Sequence, residues 1–83
     1  MNIKHSVLMN EFISFWFYTS VDDQELYETD LDFQAMEWSL YHKDTEEPPF
    51  QKGLIRKYSG VEDEKAEIER IKLEVECIVK ERS

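Results

Sequence analysis

The spacing of apolar residues changes character several times along this chain. Residues 12–19, FISFWFYT, are dense in aromatic and β-branched side chains, which suit a pleated surface. Both parities are apolar: Phe12, Trp16 and Tyr18 fall on one with Ser14, and Ile13, Phe15 and Phe17 on the other. That predicts a central strand buried on two sides. SVDDQ (20–24) supplies turn residues. YETDLDFQ (27–34) then alternates at every position, Tyr27, Thr29, Leu31 and Phe33 against Glu28, Asp30, Asp32 and Gln34, the period of a strand with one face in a core. After Ala35 the phase flips, and Met36, Trp38 and Leu40 become the apolar set. A one-residue slip of this kind predicts a β-bulge. KDTEEPP (43–49) reads as a loop, and FQKGLIRKY (50–58) as a further strand with Gly53 at a bulge or bend.

Residues 59–82 change to helical periodicity. Ser59 and Glu62 have the spacing of a capping box, acids lead the first turn, and Lys80 and Arg82 close the last, matching the helix dipole. Val61, Ile68, Ile71, Val75, Ile78 and Val79 fall in one stripe, with Ala66, Leu73 and Cys77 in a thinner one almost opposite. The fold class that follows is α+β: a single domain over 1–83, mainly β over 12–58, with a small antiparallel sheet of three or four strands packed by one long C-terminal helix. The alternative is a small all-α bundle, since a short apolar run also fits a buried helix and Thr29 with Asp32 mimics a helix cap. One helix covers one sheet face. The second face of strand 12–19 then needs residues 1–11 or another chain.

Charge changes this picture more than composition does. The 83 residues carry 19 Asp/Glu and 10 Lys/Arg, a net −9. Residues 1–21 sum to zero and so do residues 48–83. The whole excess sits in residues 22–47, where Asp22, Asp23, Glu25, Glu28, Asp30, Asp32, Glu37, Asp44, Glu46 and Glu47 face Lys43 alone. Such asymmetry speaks of partners rather than of fold. It argues against direct nucleic-acid binding, which needs a basic footprint, and suits a protein partner with a basic surface. The cluster Lys52, Arg56 and Lys57 is expected to answer the acidic strands, within the fold or in a dimer. A lone cysteine, Cys77, forms no intrachain disulfide, no signal peptide is recognisable, and the seven-residue run FISFWFY is far short of the roughly 20 residues of a membrane helix. A cytoplasmic setting is expected, with no membrane partner.

Chemistry is thinly represented. The carboxylates of Asp22 to Asp32 alternate along a strand instead of converging round a turn with a central glycine, so no calcium loop is expected. His5, His42 and Cys77 have no metal-ligand spacing, and no cofactor motif occurs. A general acid needs burial to raise its pKa, and these carboxylates read as exposed. Cys77 reads as a small apolar contact. No enzyme is expected. Phe15, Trp16, Phe17, Phe33 and Trp38 read as core, while Tyr18, Tyr41 and Trp38 are candidates to rim the acidic surface as anchors.

The acidic row remains the strongest clue. Alternate residues on a strand lie roughly 6.5–7 Å apart, about the spacing of alternate phosphates on a nucleic-acid strand. Three like charges in a row are unfavourable in a strand, so something other than the fold is expected to retain them: solubility and protection of an edge strand on a solvated outer face, or a role in binding. The expected function is a non-catalytic acidic binding protein that blocks the basic, nucleic-acid-binding surface of a larger protein through the ten acids of residues 22–47. Small acidic inhibitors of phages and mobile elements, anti-restriction and anti-CRISPR proteins among them, are similar to it in charge and size; no motif carries the likeness. The alternative is a homo-oligomeric structural or regulatory protein that self-associates through the apolar sheet face and through Ala66, Leu73 and Cys77.

Overall fold

The computed structural model describes residues 1–82. Its strands are β1 (Ile3–His5), β2 (Met9–Glu11), β3 (Ser14–Val21), β4 (Gln24–Asp32), β5 (Glu37–His42) and β6 (Gln51–Leu54), followed by one helix, α1 (Val61–Arg82). The strands form one antiparallel sheet in the order β1-β3-β4-β5-β6, with β2 also paired to β3. The architecture is therefore the expected α+β, with more strands than expected. The two additional ones are short and lie end to end along one edge of β3: His5 pairs with Thr19, and Met9 with Trp16. Between them the ladder breaks, and the Ser6 side-chain oxygen accepts the Tyr18 N–H that would otherwise lose its partner. Residues 1–11 thus widen the sheet and do not cover its second face.

Turn chemistry sets the register. Asp22 and Asp23 both have positive φ (49° and 66°), the backbone of a two-residue hairpin turn whose twist matches its strands. The bulge in the sheet lies beside that turn, where Thr19 pairs with Tyr27 but Ser20 pairs with Glu25. Leu26 is the extra residue. The phase flip at Ala35 has another cause, for residues 33–36 are a turn and not a bulge. Asp32 Oδ1 accepts the N–H groups of Gln34 and Ala35, and Met36 completes the turn at φ 56°. The first hairpin turns at Phe12 and Ile13, which are 92% and 73% exposed. They stand outside β3 and are not part of a buried strand.

The core lies between one sheet face and α1. Phe17, Tyr27, Leu31, Trp38 and Leu40 meet Ile55, Ile68, Ile71, Val75 and Val79. Burial of this area is the main stabilising term. Gly53 does not bend its strand. It pairs with Trp38, and a Cβ at this position would stand 2.3 Å from the Trp38 ring, so the indole occupies the space a side chain would need. Val61, placed by periodicity in the core stripe, is instead exposed at the first position of the helix. The helix start is also capped differently from the expected Ser59–Glu62 box: Gly60 at φ 88° accepts the Glu64 N–H, and Asp63 takes both the N–H and the hydroxyl of Ser59.

Glu67 is buried in the helix–sheet seam without any forewarning from periodicity. Its carboxylate accepts the Arg56 backbone N–H at 2.5 Å and two guanidinium N–H groups of Arg70 at 2.7 Å. Arg70 also donates to the Leu54 carbonyl and to Glu74. This clasp ties the end of β6 to the middle of α1. The Arg70 hydrogen bond chiefly holds the Glu67 carboxyl below its usual range, against the opposing effect of burial.

Candidate functional site

The pairing registers generate the site. Because Phe15, Phe17 and Thr19 point to the helix side, Trp16, Tyr18 and Ser20 point to the other, and the pairing carries this across the sheet. Met9, Trp16, Asp30, Ser39 and Lys52 form one row of neighbours on the open face; Tyr18, Glu28 and Tyr41 form the next; Asp32, Glu37 and Leu54 lie on the far side of the first. Glu11 opposite Ser14, and Glu25 opposite Ser20, complete the face. Among the described residues, no element covers it. A shallow groove runs along it between Glu11, Ser14, Trp16, Tyr18, Glu28, Asp30, Asp32, Ser39 and Tyr41. A smaller one links Glu28, Asp30 and Tyr41 to Asp44, Glu46 and Glu47 of the β5–β6 loop.

Of the ten acids singled out by charge, Glu25, Glu28, Asp30, Asp32 and Glu37 share the open face, and Asp44, Glu46 and Glu47 border it. Asp22 and Asp23 sit apart at the β3–β4 turn. Glu11, which lies outside the acidic segment, joins the face through the β2–β3 pairing. That position was invisible without the register.

The carboxylates are unequal. Burial, followed by the hydrogen bond and charge of neighbouring Glu28, pushes Asp30 up to about 7. Asp30 therefore ionises less readily than an exposed carboxyl. Asp32 is committed to its turn. Glu25 is met by Lys43 at 3.1 Å, and Lys43 also reaches Asp44 at 3.2 Å and lies 5.2 Å from the centre of the Tyr18 ring. These two carboxylates raise the Lys43 pKa. Lys4 approaches Asp23 at 4.0 Å. Within the fold the basic cluster does not answer the acidic strands: among the described residues, Lys52, Arg56 and Lys57 make no ion pair within 4.0 Å. Lys52 lies on the open face two strands from Asp30, while Arg56 and Lys57 follow β6 beyond the last paired residue.

The aromatic assignments shift likewise. Tyr18 and Tyr41 do rim the acidic face. Trp38 does not, being fully buried under the helix. Trp16, expected in the core, takes its place on the open side, half-buried between Met9 and Asp30. Parity within residues 12–19 held this distinction, but with both parities apolar it had no reference until the pairing with β4 supplied one.

The second proposed surface lies on the back of α1. Ala66, Leu73 and Cys77 are exposed there, Leu73 at 64%, so Cys77 is a free exposed thiol and not an internal apolar contact. Ion pairs Lys72–Glu69, Arg70–Glu74 and Lys80–Glu76 flank them. Among the described residues, no three His, Cys, Asp or Glu side chains converge on a point suited to a metal ion, and no helix is long and apolar enough to cross a membrane. Comparison with protein-family models, curated proteins and solved structures finds no match to this chain.

Proposed function

We propose that this is a non-catalytic binding protein of the cytoplasm whose open sheet face docks on the basic, nucleic-acid-binding surface of a larger protein, as small acidic inhibitors of phages and mobile elements do. One observation carries the reading: Glu11, Glu28, Asp30, Asp32 and Glu37 lie on one uncovered face around Trp16, Tyr18 and Tyr41, with no cation of the described residues within ion-pairing distance. The carboxylates steer and select a cationic surface. The aromatics supply contact area of the kind that anchors interfaces, and a ring face for arginine or lysine.

The test is retention of a target from a bacterial lysate on immobilised protein, in wild-type form and with Asp30→Lys and Glu37→Lys together. Glu37 is chosen over Asp32 because reversal of Asp32 would also remove the acceptor that holds the β4–β5 turn. A nucleic-acid-binding protein is expected on the wild-type column only, eluting with salt and displaced by duplex DNA. Identical proteins captured by both forms, or capture indifferent to salt, would remove the reading.

A further inference from the structure

Few groups hold β1 to the molecule. Its three residues alternate, with Lys4 exposed and Ile3 and His5 partly buried on the helix side, and it pairs with β3 alone. Lys4 lies 4.0 Å from an exposed Asp23, an ion pair that adds little. His5 enters the seam with α1. Its side chain is only 13% exposed, Nδ1 lies 2.9 Å from Thr19 Oγ1, and the ring stands edge-on to Phe17 at 5.5 Å. Nε2 is buried and has no hydrogen-bond partner among the described residues. The charged groups that face the ring come from α1, and each is already engaged. Glu76 Oε2 is 4.0 Å from Nε2, while Oε1 of the same carboxylate is 3.3 Å from Lys80. Glu69 is 3.5 Å from Lys72, and the Lys72 ammonium lies 5.7 Å from the centre of the Phe17 ring. From β3 the ring meets Thr19 and Phe17, neither of them charged. A second proton on His5 would place a cation in a dry seam, near a lysine, with no uncommitted carboxylate in contact.

We propose that His5 is an acid-sensitive latch: its neutral imidazole seats β1 against α1, and protonation releases β1 from the edge of β3. The seam favours the neutral ring because a buried charge needs a partner that these groups do not offer. Burial is the strongest influence and lowers the His5 pKa. Lys72 acts in the same direction, and the Glu76 and Glu69 carboxylates and the Lys72 carbonyl oppose it. For a histidine whose folded pKa is lowered, the contribution to stability is fully present above the unfolded value and is lost as pH falls through the folded one. The Asp30 carboxyl acts with the opposite sign, so the two are separable. The opening is local, because β1 touches no strand but β3. The Ser6 N–H donates to the Tyr18 carbonyl at 2.8 Å, the Tyr18 N–H donates to Ser6 Oγ at 2.9 Å, and the Asp22 N–H donates to the Asn2 carbonyl at 2.8 Å. When β1 leaves, both backbone groups of Tyr18 are bared, on a residue whose ring rims the acidic face.

Nuclear magnetic resonance tests the latch on the wild type, His5→Asn and Glu76→Gln. In the wild type the His5 ring should titrate below the ordinary histidine value of 6.5. Amide protection at Ser6 and Tyr18, corrected for the intrinsic pH dependence of exchange, should fall between about pH 7 and about pH 5, by at most about 25-fold, the limit that the ordinary histidine value sets. Protection in the middle of β4 should not fall with it. His5→Asn leaves Thr19 a hydrogen-bond partner but cannot titrate, so the pH dependence at Ser6 and Tyr18 should vanish. Glu76→Gln removes an opposing carboxylate and should deepen the loss in acid. A wild-type His5 that titrates above 6.5, a change in protection at Ser6 of less than about twofold, or an equal fall at β4 would each overturn the proposal. So would a pH dependence that survives His5→Asn, or one that Glu76→Gln abolishes.

Discussion

The two faces of the sheet are built from the same strands, one residue out of step, and they follow opposite rules. On the helix side the buried hydroxyl of Thr19 and the buried carboxylate of Glu67 are matched. Thr19 Oγ1 meets His5 Nδ1 at 2.9 Å, and Glu67 is enclosed by Arg56 and Arg70. The buried exceptions on that side are Thr29 Oγ1, Trp38 Nε1 and His5 Nε2, the last of these 4.0 Å from the Glu76 carboxylate. On the open side, carboxylates stand next to one another and one of them holds its proton to about pH 7. The helix side packs apolar groups and leaves three side-chain atoms unpartnered; the open side sets like charges beside one another. Like charges held side by side cost stability, and that cost is the ground on which a partner is proposed for this face.

The comparison can be broken most severely at Gly53. Gly53→Ala forces a methyl into the Trp38 ring, and the fold should lose about 3 kcal/mol, read as a fall in the denaturation midpoint. A loss below half of that would mean the indole moves aside freely. Glu67→Ala comes next, with an expected loss of about 2–3 kcal/mol, because a buried backbone donor and a guanidinium lose their acceptor. The sign with pH follows from a depressed carboxyl pKa. Its contribution is present above the ordinary carboxylate range and is lost as pH falls through the lower folded value. The gap between wild type and Glu67→Ala should therefore narrow in acid.

The open face should respond in the reverse direction. The Asp30 pKa is raised from 3.8 to about 7, so its contribution to stability is fully present below the unfolded value and is lost as pH rises through the folded one. Between these limits the wild type should become less stable with rising pH. Asp30→Asn should remove that slope and stabilise the protein above neutrality by about 1 kcal/mol once solvent screening is allowed for. Other charged or titratable groups near Asp30 are Glu28 and Asp32 on its own strand, Tyr18 on β3, Glu37 and Tyr41 on β5, Lys52 on β6, Glu11 on β2, and Asp44, Glu46 and Glu47 in the loop. A negative Asp30 attracts cations more strongly than a neutral one, so affinity for the proposed basic partner should rise with pH across the same range in wild type and stay flat in Asp30→Asn.

The smallest effect sharpens the helix side. Thr29→Val replaces an unpartnered buried hydroxyl with a methyl and should stabilise by roughly 0.5–1 kcal/mol, whereas Thr19→Val, which strips His5 of its partner, should cost about 1 kcal/mol. Equal effects at the two threonines, measured by chemical denaturation, would remove the distinction drawn between them.

Much of the fold was legible because period-two and period-3.6 spacing follow directly from strand and helix geometry. Tyr27, Thr29 and Leu31 alternate against Glu28, Asp30 and Asp32 in the sequence, and they do so across the sheet. Ile68, Ile71, Val75 and Val79 form the expected core stripe. Local chemistry also carries the Asp22–Asp23 turn. What failed, failed where spacing is ambiguous. The slip at Ala35 fits a turn as well as a bulge, the apolar residues 12 and 13 were counted into a strand they only introduce, and residues 1–11 had too little pattern to be read as strands.

The sequence by itself determined which side chains could share a face, and that residues 22–47 hold the excess charge, because both are set by order along the chain. It could not determine which face the helix would cover, that Trp16 and Trp38 would part to opposite sides, that Glu11 would join the acids, or that Glu67 would be enclosed. Those depend on which strands pair and in what register. Pairing joins residues distant in sequence through backbone hydrogen bonds that are alike at every position, so only the packing of the assembled sheet against its helix selects among them.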